Sequence, residues 1–292
     1  MMQKIRLFDC HTHVLEHGFQ KSLKVKETVR AAIAKDLSAI CLTDHYPLPS
    51  GFLDPTCKKD CAMSLTLYSD YQQEVRKIIK KFGSRIEILK GVEFDWLPEY
   101  KLWIKKQIKK WNFDYVIGSV HFLGKIEDGK GRRNFILDYK EEELKKGITF
   151  LGGIKPFVKK YYQQIQSMAK SGLFDCIGHL DLIKKYNTGS FFSEDEQWYQ
   201  SAVLETLEVI KKVNMVVEIN TSGLDKKCKK SYPSLWILQE AKKRDIPIAI
   251  GSDAHTPETI GRNLEAAVRL AKTAGYLSLV KFINREKKEV VI

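Results

Sequence analysis

The chain has 292 residues, 43% of them hydrophobic, and 49 basic against 36 acidic side chains give it a formal charge of +13. That length and apolar content suffice for one large core, so a single domain over residues 1–292 is expected, and no run approaches the roughly 18 apolar residues of a membrane span. The positive charge favours acidic ligands, but Lys105, Lys106, Lys109 and Lys110, then Lys226, Lys227, Lys229 and Lys230, then Lys242 and Lys243 fall in separate amphipathic or loop segments. They read as solvated faces, so neither a nucleic-acid nor a membrane partner is expected.

Short apolar runs rich in β-branched residues alternate with longer helical patterns, the signature of βα units around a parallel sheet. In chain order, strands are predicted at Ile5–Phe8, Ala39–Thr43, Ile86–Val92, Tyr115–Val120, Phe174–Ile177, Met215–Ile219 and Ile246–Ile250. Leu123–Gly153, with Gly-Lys-Gly-Arg-Arg at its centre, reads as a long irregular insertion of the kind that serves as a lid or binding element. Ser193 and Glu196 form a capping box before a helix that buries Val203, Leu207 and Ile210. Pro233–Arg244 reads as a further helix, and Thr256-Pro257 is another start signal. The alternation points to a distorted seven-stranded α/β barrel, whose strands all end on one face. The six cysteines are scattered, three of them inside apolar strand-like runs, which fits buried thiols in a reducing, cytoplasmic setting. Cys57 and Cys61 have no second pair at zinc-finger spacing and read as a plain loop.

The placement of the seven histidines is the strongest signal. His11 and His13 follow the first predicted strand with His17 just beyond, His45 follows the second, His121 the fourth, His179 the fifth and His255 the seventh. A lone histidine after a strand is an ordinary turn residue; a histidine set in which every member marks a strand end is a converging site. Glu93 after the third strand and Asp253 in Gly251-Ser252-Asp253-Ala254-His255 add carboxylates. Mixed imidazole and carboxylate donors suit zinc, manganese or iron, and a bridging carboxylate lets two cations sit about 3.5 to 4 Å apart.

These residues resemble the PHP (polymerase and histidinol phosphatase) family in Asp9-Cys10-His11-Thr12-His13, Thr43-Asp44-His45, Gly118-Ser119-Val120-His121 and Gly251-Ser252-Asp253-Ala254-His255. Gly178-His179-Leu180-Asp181-Leu182-Ile183, Val217-Glu218-Ile219-Asn220-Thr221-Ser222-Gly223 and Tyr232-Pro233-Ser234 are similar to its stand-alone histidinol-phosphatase branch. The resemblance implies a (β/α)7 barrel with the active site at the C-terminal ends of the strands, two to three divalent ions (Zn, Mn or Fe), and hydrolysis of L-histidinol phosphate to L-histidinol and inorganic phosphate in histidine biosynthesis. It assigns His11, His13, Glu93 and Asp253 to one ion, Glu93, His121 and His179 to a second, and His45 and His255 to a third. His17 completes the third site, with Glu16 as its alternative because the loop is two residues shorter than in many relatives.

Hydrolysis would use Glu93, Asp253 and His255 as catalytic residues, with Asp253 orienting the attacking water and His255, or a metal-bound water, protonating the departing alkoxide. Arg132, Arg133, Lys184 and Lys185, after strands four and five, are the candidates for the phosphate, and Asp181 and Glu218 for the amine and imidazole of histidinol. A phosphate monoester is the expected partner, acting on a monomer or homodimer. The alternatives are a family phosphatase for nucleotides or phosphotyrosine, an amidohydrolase or deaminase, and a noncatalytic metal-binding protein. Glu93 and the closing Asp-Ala-His fit the amidohydrolase pattern poorly.

Overall fold

A computed structural model of the chain describes residues 6–15, 23–56, 61–128 and 131–292. Seven strands, β1 (Phe8–Thr12), β2 (Ala39–Leu42), β3 (Glu87–Asp95), β4 (Tyr115–Ser119), β7 (Cys176–Ile177), β8 (Val216–Asn220) and β9 (Ile248–Gly251), form one sheet in that order. All six ladders are parallel. Parallel neighbours require crossovers, which helices supply. They are α1 (Val25–Ala34), α2 (Leu65–Phe82), α3 (Lys101–Lys110), α5 (Ile154–Lys170), α6 (Gln197–Lys212) and α7 (Leu235–Lys243), and α8 (Leu264–Thr273) follows the last strand of the sheet.

Periodicity explains how each helix docks: α5 buries Phe157, Val158, Tyr161, Tyr162, Ile165, Met168 and Ala169, a stripe recurring every three or four residues. Among the described residues, the backbones of the outer strands of the curled sheet meet at the C-terminal end. There Thr12 bridges Ala254 in parallel, the Asp253 N–H donates to the His11 carbonyl at 2.8 Å and the His13 N–H to the Ala254 carbonyl at 2.7 Å. The result is the distorted (β/α)7 barrel that the sequence pattern implies, pinned shut at the mouth where the polar residues gather. Among the described residues, no helix is long and apolar enough to cross a membrane.

Several expectations need correction. Ile5 lies outside the described residues, and the first strand runs on past Phe8 to Thr12, because Asp9, His11 and Thr12 are strand residues made polar by the site that they line. For the same reason β3 runs on through Glu93 to Asp95. The described residues of the Leu123–Gly153 insertion are regular rather than irregular: an antiparallel hairpin of β5 (Phe122–Asp128) and β6 (Gly131–Ile136) leads to α4 (Glu141–Phe150). Its glycines and charges look loop-like, yet Gly147 sits inside α4 because a Cβ there would lie 2.3 Å from the Phe135 ring.

Ser193 does not cap α6, which begins at Gln197 after Glu196. It keeps one half of the expected box, its N–H donating to Glu196 Oε1 at 3.1 Å. Thr256-Pro257 opens only the short 3-10 turn Pro257–Thr259. A hairpin not anticipated from the sequence, β10 (Ser278–Ile283) and β11 (Glu286–Val291), packs against the strand starts, with Phe282 stacked on Tyr115. Arg285 in its turn donates from Nε and Nη2 to Asp175. Cys57 lies outside the described residues; Cys61 donates to Asp54 Oδ1 at 3.0 Å.

Candidate metal centre

The barrel mouth is organised by two buried aspartates. Asp9 accepts from the backbone N–H of Ser252 and of Gly261, both at 2.9 Å, and from Ser252 Oγ at 2.5 Å, tying the segment after β9 to β1. Asp44 accepts from the N–H groups of Val14 and Leu15, fixing the chain where it leaves the His11-Thr12-His13 stretch. Period-two alternation then puts the imidazoles of His11 and His13 on one side, with centroids 5.1 Å apart. His13 also stacks on His45 at 4.6 Å and on His255 at 4.1 Å, so residues from β1, β2 and β9 meet.

Glu93 stands at the centre with its two oxygens facing different partners. Oε2 lies 3.4 Å from His11 Nε2, 3.6 Å from His13 Nε2 and 3.0 Å from His45 Nδ1. Oε1 lies 3.0 Å from His179 Nε2 and 3.8 Å from His121 Nε2, and accepts from Ser119 Oγ at 2.5 Å. Asp253 Oδ1 completes the first group, 3.8 Å from His11 Nε2 and 3.3 Å from His13 Nε2.

These spacings test the fit of a cation. Donors about 2.1 Å from a tetrahedral ion lie about 3.4 Å from each other. The observed separations bracket that value, and the fully buried Nε2 atoms of His11 and His13 have no hydrogen-bond partner among the described residues. His121 Nε2 and His179 Nε2 lie 3.3 Å apart, a separation that two ligands of one cation also take. His13, His45 and His255 offer a further group of donors within 4.8 Å of one another. The residues present therefore fit a cluster of ions. His17 and Glu16 lie outside the described residues.

Electrostatics agree with this fit. Burial works against a charge on His11, yet Glu218, Glu93 and Asp253 outweigh it and raise the imidazole well above its usual range. Burial would likewise raise Glu93 and Asp253; His45 and His11 hold Glu93, and His11 and His13 hold Asp253, well below the usual carboxylate range. Burial lowers His121, but Asp95, 2.7 Å from its Nδ1, lifts it to about 10. Protons and cations compete for the same nitrogens, so metal uptake releases protons.

Beside the clusters opens a cleft of about 540 Å³ lined by His45, Glu93, His121, His179, Asp253 and His255. Of the basic candidates read from the sequence, only Lys185 reaches it, its Nζ anchored 3.0 Å from Asp138 Oδ2. Burial would raise the Asp138 carboxyl, but Lys185 holds it well below the usual range. Lys184 turns inward, 2.6 Å from Asp181 and 2.5 Å from Ser234 Oγ, and lines a neighbouring cavity. Arg132 is exposed on β6 and Arg133 pairs with Glu143 at 2.6 Å; neither lines the cleft.

Asp181 and Glu218 are buried too, the first held by Lys184 and the second beneath His11, so neither lines the cleft. The sequence reading missed Asp95, Asp138, Lys226 and Arg262, all of which do. A period-two step from Glu93 could have found Asp95. Nothing local marks Arg262.

The chain matches the family model described as PHP domain over residues 9–222, and that described as PHP-associated over residues 237–264. The histidinol-phosphatase of Bacillus subtilis (strain 168) is 32% identical over 263 residues, covering 88% of this chain and 95% of that protein. A crystal structure of hisK from Listeria monocytogenes aligns with a TM-score of 0.80 at 26% identity, over 89% of this chain and 99% of that one. The histidinol phosphate phosphatase of Lactococcus lactis subsp. lactis, crystallised with zinc, L-histidinol and phosphate, aligns with a TM-score of 0.76 at 23% identity, over 97% and 99% of the two chains.

Proposed function

The chain belongs to the PHP family, in its histidinol-phosphatase branch, and from that premise we propose that it hydrolyses L-histidinol phosphate to L-histidinol and inorganic phosphate. The observation that carries this reading is the division of Glu93, one oxygen among His11, His13 and His45 and the other between His121 and His179, at spacings of 3.0 to 3.8 Å that donors around shared cations would take. His11, His13, Glu93 and Asp253 would hold one divalent ion, and Glu93, His121 and His179 a second. His45 and His255 would hold a third, completed from the stretch that contains Glu16 and His17.

Bound divalent ions supply Lewis acidity, neutralising phosphoryl charge and making water acidic enough to attack near neutral pH. The chain's own residues do the rest. Asp253 orients the attacking water through its carboxylate, and the departing alkoxide takes its proton from water at the edge of the cleft or, where His255 holds no ion, from that half-buried imidazole. Lys185, Lys226 and Arg262 pair with the outer phosphoryl oxygens, positioning the ester for in-line displacement. Arg132, Arg133 and Lys184 have no part in this reading. The cytoplasmic setting and the single domain over residues 1–292 belong to the same proposal.

The test is phosphate release from histidinol phosphate, p-nitrophenyl phosphate, nucleotides and a phosphotyrosine peptide, with and without a chelator. Histidinol phosphate should lead the panel by at least tenfold in kcat/KM, and chelation should abolish turnover. A clear lead for another substrate would overturn the substrate assignment, and chelator-resistant turnover would overturn the metal chemistry.

A further inference from the structure

Among the described residues, β8 is the one strand of the seven that contributes nothing to the clusters of potential metal donors. Its side chains touch those donors all the same. We propose that Glu218, Asn220 and Ser222 are positioning residues, a second tier that aims His11, His179 and Asp253 from three other parts of the barrel at the ions. This rests on the reading above that those three residues are metal ligands.

Period-two alternation sends Glu218 and Asn220 to the same side of β8, and Ser222 follows in the turn just beyond it. Glu218 Oε1 lies 2.7 Å from His11 Nδ1. Its Oε2 accepts from the His179 backbone N–H and from Asn220 Nδ2, both at 3.0 Å. Asn220 Nδ2 also reaches Asp253 Oδ2 at 3.3 Å, and Ser222 Oγ donates to that same oxygen at 3.1 Å. Asn220 Oδ1 in turn accepts from the Ser222 N–H at 3.0 Å. The three side chains form one connected unit, fully buried apart from Ser222, which is 4% exposed.

The contacts have directional consequences. A carboxylate surrounded by donors accepts from His11 Nδ1–H, which fixes the tautomer and leaves Nε2 with its lone pair toward Glu93 and Asp253. Holding Asp253 Oδ2 turns Oδ1 toward His13 Nε2. His179 and Asp253 both have left-handed backbones, with φ of 28° and 52°. Such conformations are costly for residues with a side chain and persist where the surroundings impose them. Each is clasped by this unit, His179 through its N–H and Asp253 through its carboxylate. Room for the arrangement comes from Gly251, where a Cβ would lie 2.3 Å from Glu218 Oε1 and 2.4 Å from His11 Cβ.

The experiment compares wild type with Glu218→Gln, Asn220→Ala and Ser222→Ala. Each protein is stripped and titrated with Zn²⁺ by calorimetry, stoichiometry is read by elemental analysis, and histidine ring-nitrogen shifts are read by ¹⁵N–¹H NMR of the zinc-loaded form. Loss of an outer partner of this kind typically weakens metal affinity 10- to 100-fold. Glu218→Gln should fall in that range and alter the His11 nitrogen shifts, while Ser222→Ala should lose about three- to tenfold with an unchanged melting temperature of the stripped protein.

Because Ser222 sits at the rim, its variant tests the proposal even where a Glu218 variant fails to fold. Wild-type zinc affinity in Ser222→Ala and Asn220→Ala, together with unchanged zinc affinity and unchanged His11 nitrogen shifts in Glu218→Gln, would overturn the proposal while leaving the metal reading intact. A wild-type protein that binds no zinc at all would remove both.

Discussion

Glu93 joins two demands in one side chain: it must stay ionised although buried, and it must face imidazoles on both sides. Removing it leaves His11 and His179 without their common acid. Glu93→Ala is therefore expected to lose at least two bound metals and phosphatase activity together, measured by elemental analysis alongside turnover. A variant with wild-type metal content would remove Glu93 from the bridging role. The contrast between neighbours Lys184 and Lys185 also belongs to this scale. One is sealed against Asp181 while the other faces the cleft beside Asp138, and the local sequence, two lysines in a row, gives no reason to prefer either. Charge-assisted contacts are worth about 1.5–3 kcal/mol, so Lys185→Ala should lower kcat/KM about 10- to 100-fold. Arg132→Ala, on exposed β6, should stay within about twofold; steady-state kinetics on both variants decides between the two surfaces.

At the scale of elements, the segment between β4 and α5 shows how a charged, glycine-rich stretch still folds. The hairpin pairs Ile126 with Arg133 and Glu127 with Arg132, and Phe135 is driven inward against α4. Three consecutive glutamates, Glu141 to Glu143, open that helix, where negative charge suits the dipole. Propensity alone predicts that Gly147→Ala stabilises α4 by up to about 1 kcal/mol. Contact with the Phe135 ring reverses the sign: we expect a net loss of about 1–2 kcal/mol, read as a lower urea midpoint with an unchanged slope. A stabilised Gly147→Ala variant would show that the ring yields freely. The polar ends of β1 and β3 make the complementary case. A search for apolar runs reaches only the first residue of β1 and the first six of β3 and stops short of the residues that act, because those residues exchange hydrophobicity for chemistry.

Across the whole molecule, the candidate ligands come from six of the seven sheet strands or the turns just after them, so bound ions would tie the mouth together over long sequence separations. Among the described residues, the backbone hydrogen bonds that close β1 on the segment after β9 are few and lie around Thr12 and Ala254, with Asp9 adding side-chain bonds to Ser252 and Gly261, which leaves cations a share in holding the barrel shut. A ligand present at 100 times its Kd contributes about 2.7 kcal/mol to stability. Chelation should therefore lower the Tm by about 5–10 °C, and adding back Zn²⁺ should restore it. Superimposable melts with and without chelator would show that the closed mouth does not depend on metal.

The sequence by itself determined the alternation of strands and helices, hence the barrel class, and the chemistry of the donors. Imidazoles and acids at strand ends are legible because residue type and period are local properties, and a parallel barrel brings all such ends to one face. Only the tertiary structure decided which acid serves which imidazole, Asp95 for His121 and Glu218 for His11, and which cations face the cleft, Lys185, Lys226 and Arg262. Those pairings join residues up to 207 positions apart. They depend on how far the sheet curls and where a short turn points a side chain, and neither is encoded in any single stretch of chain.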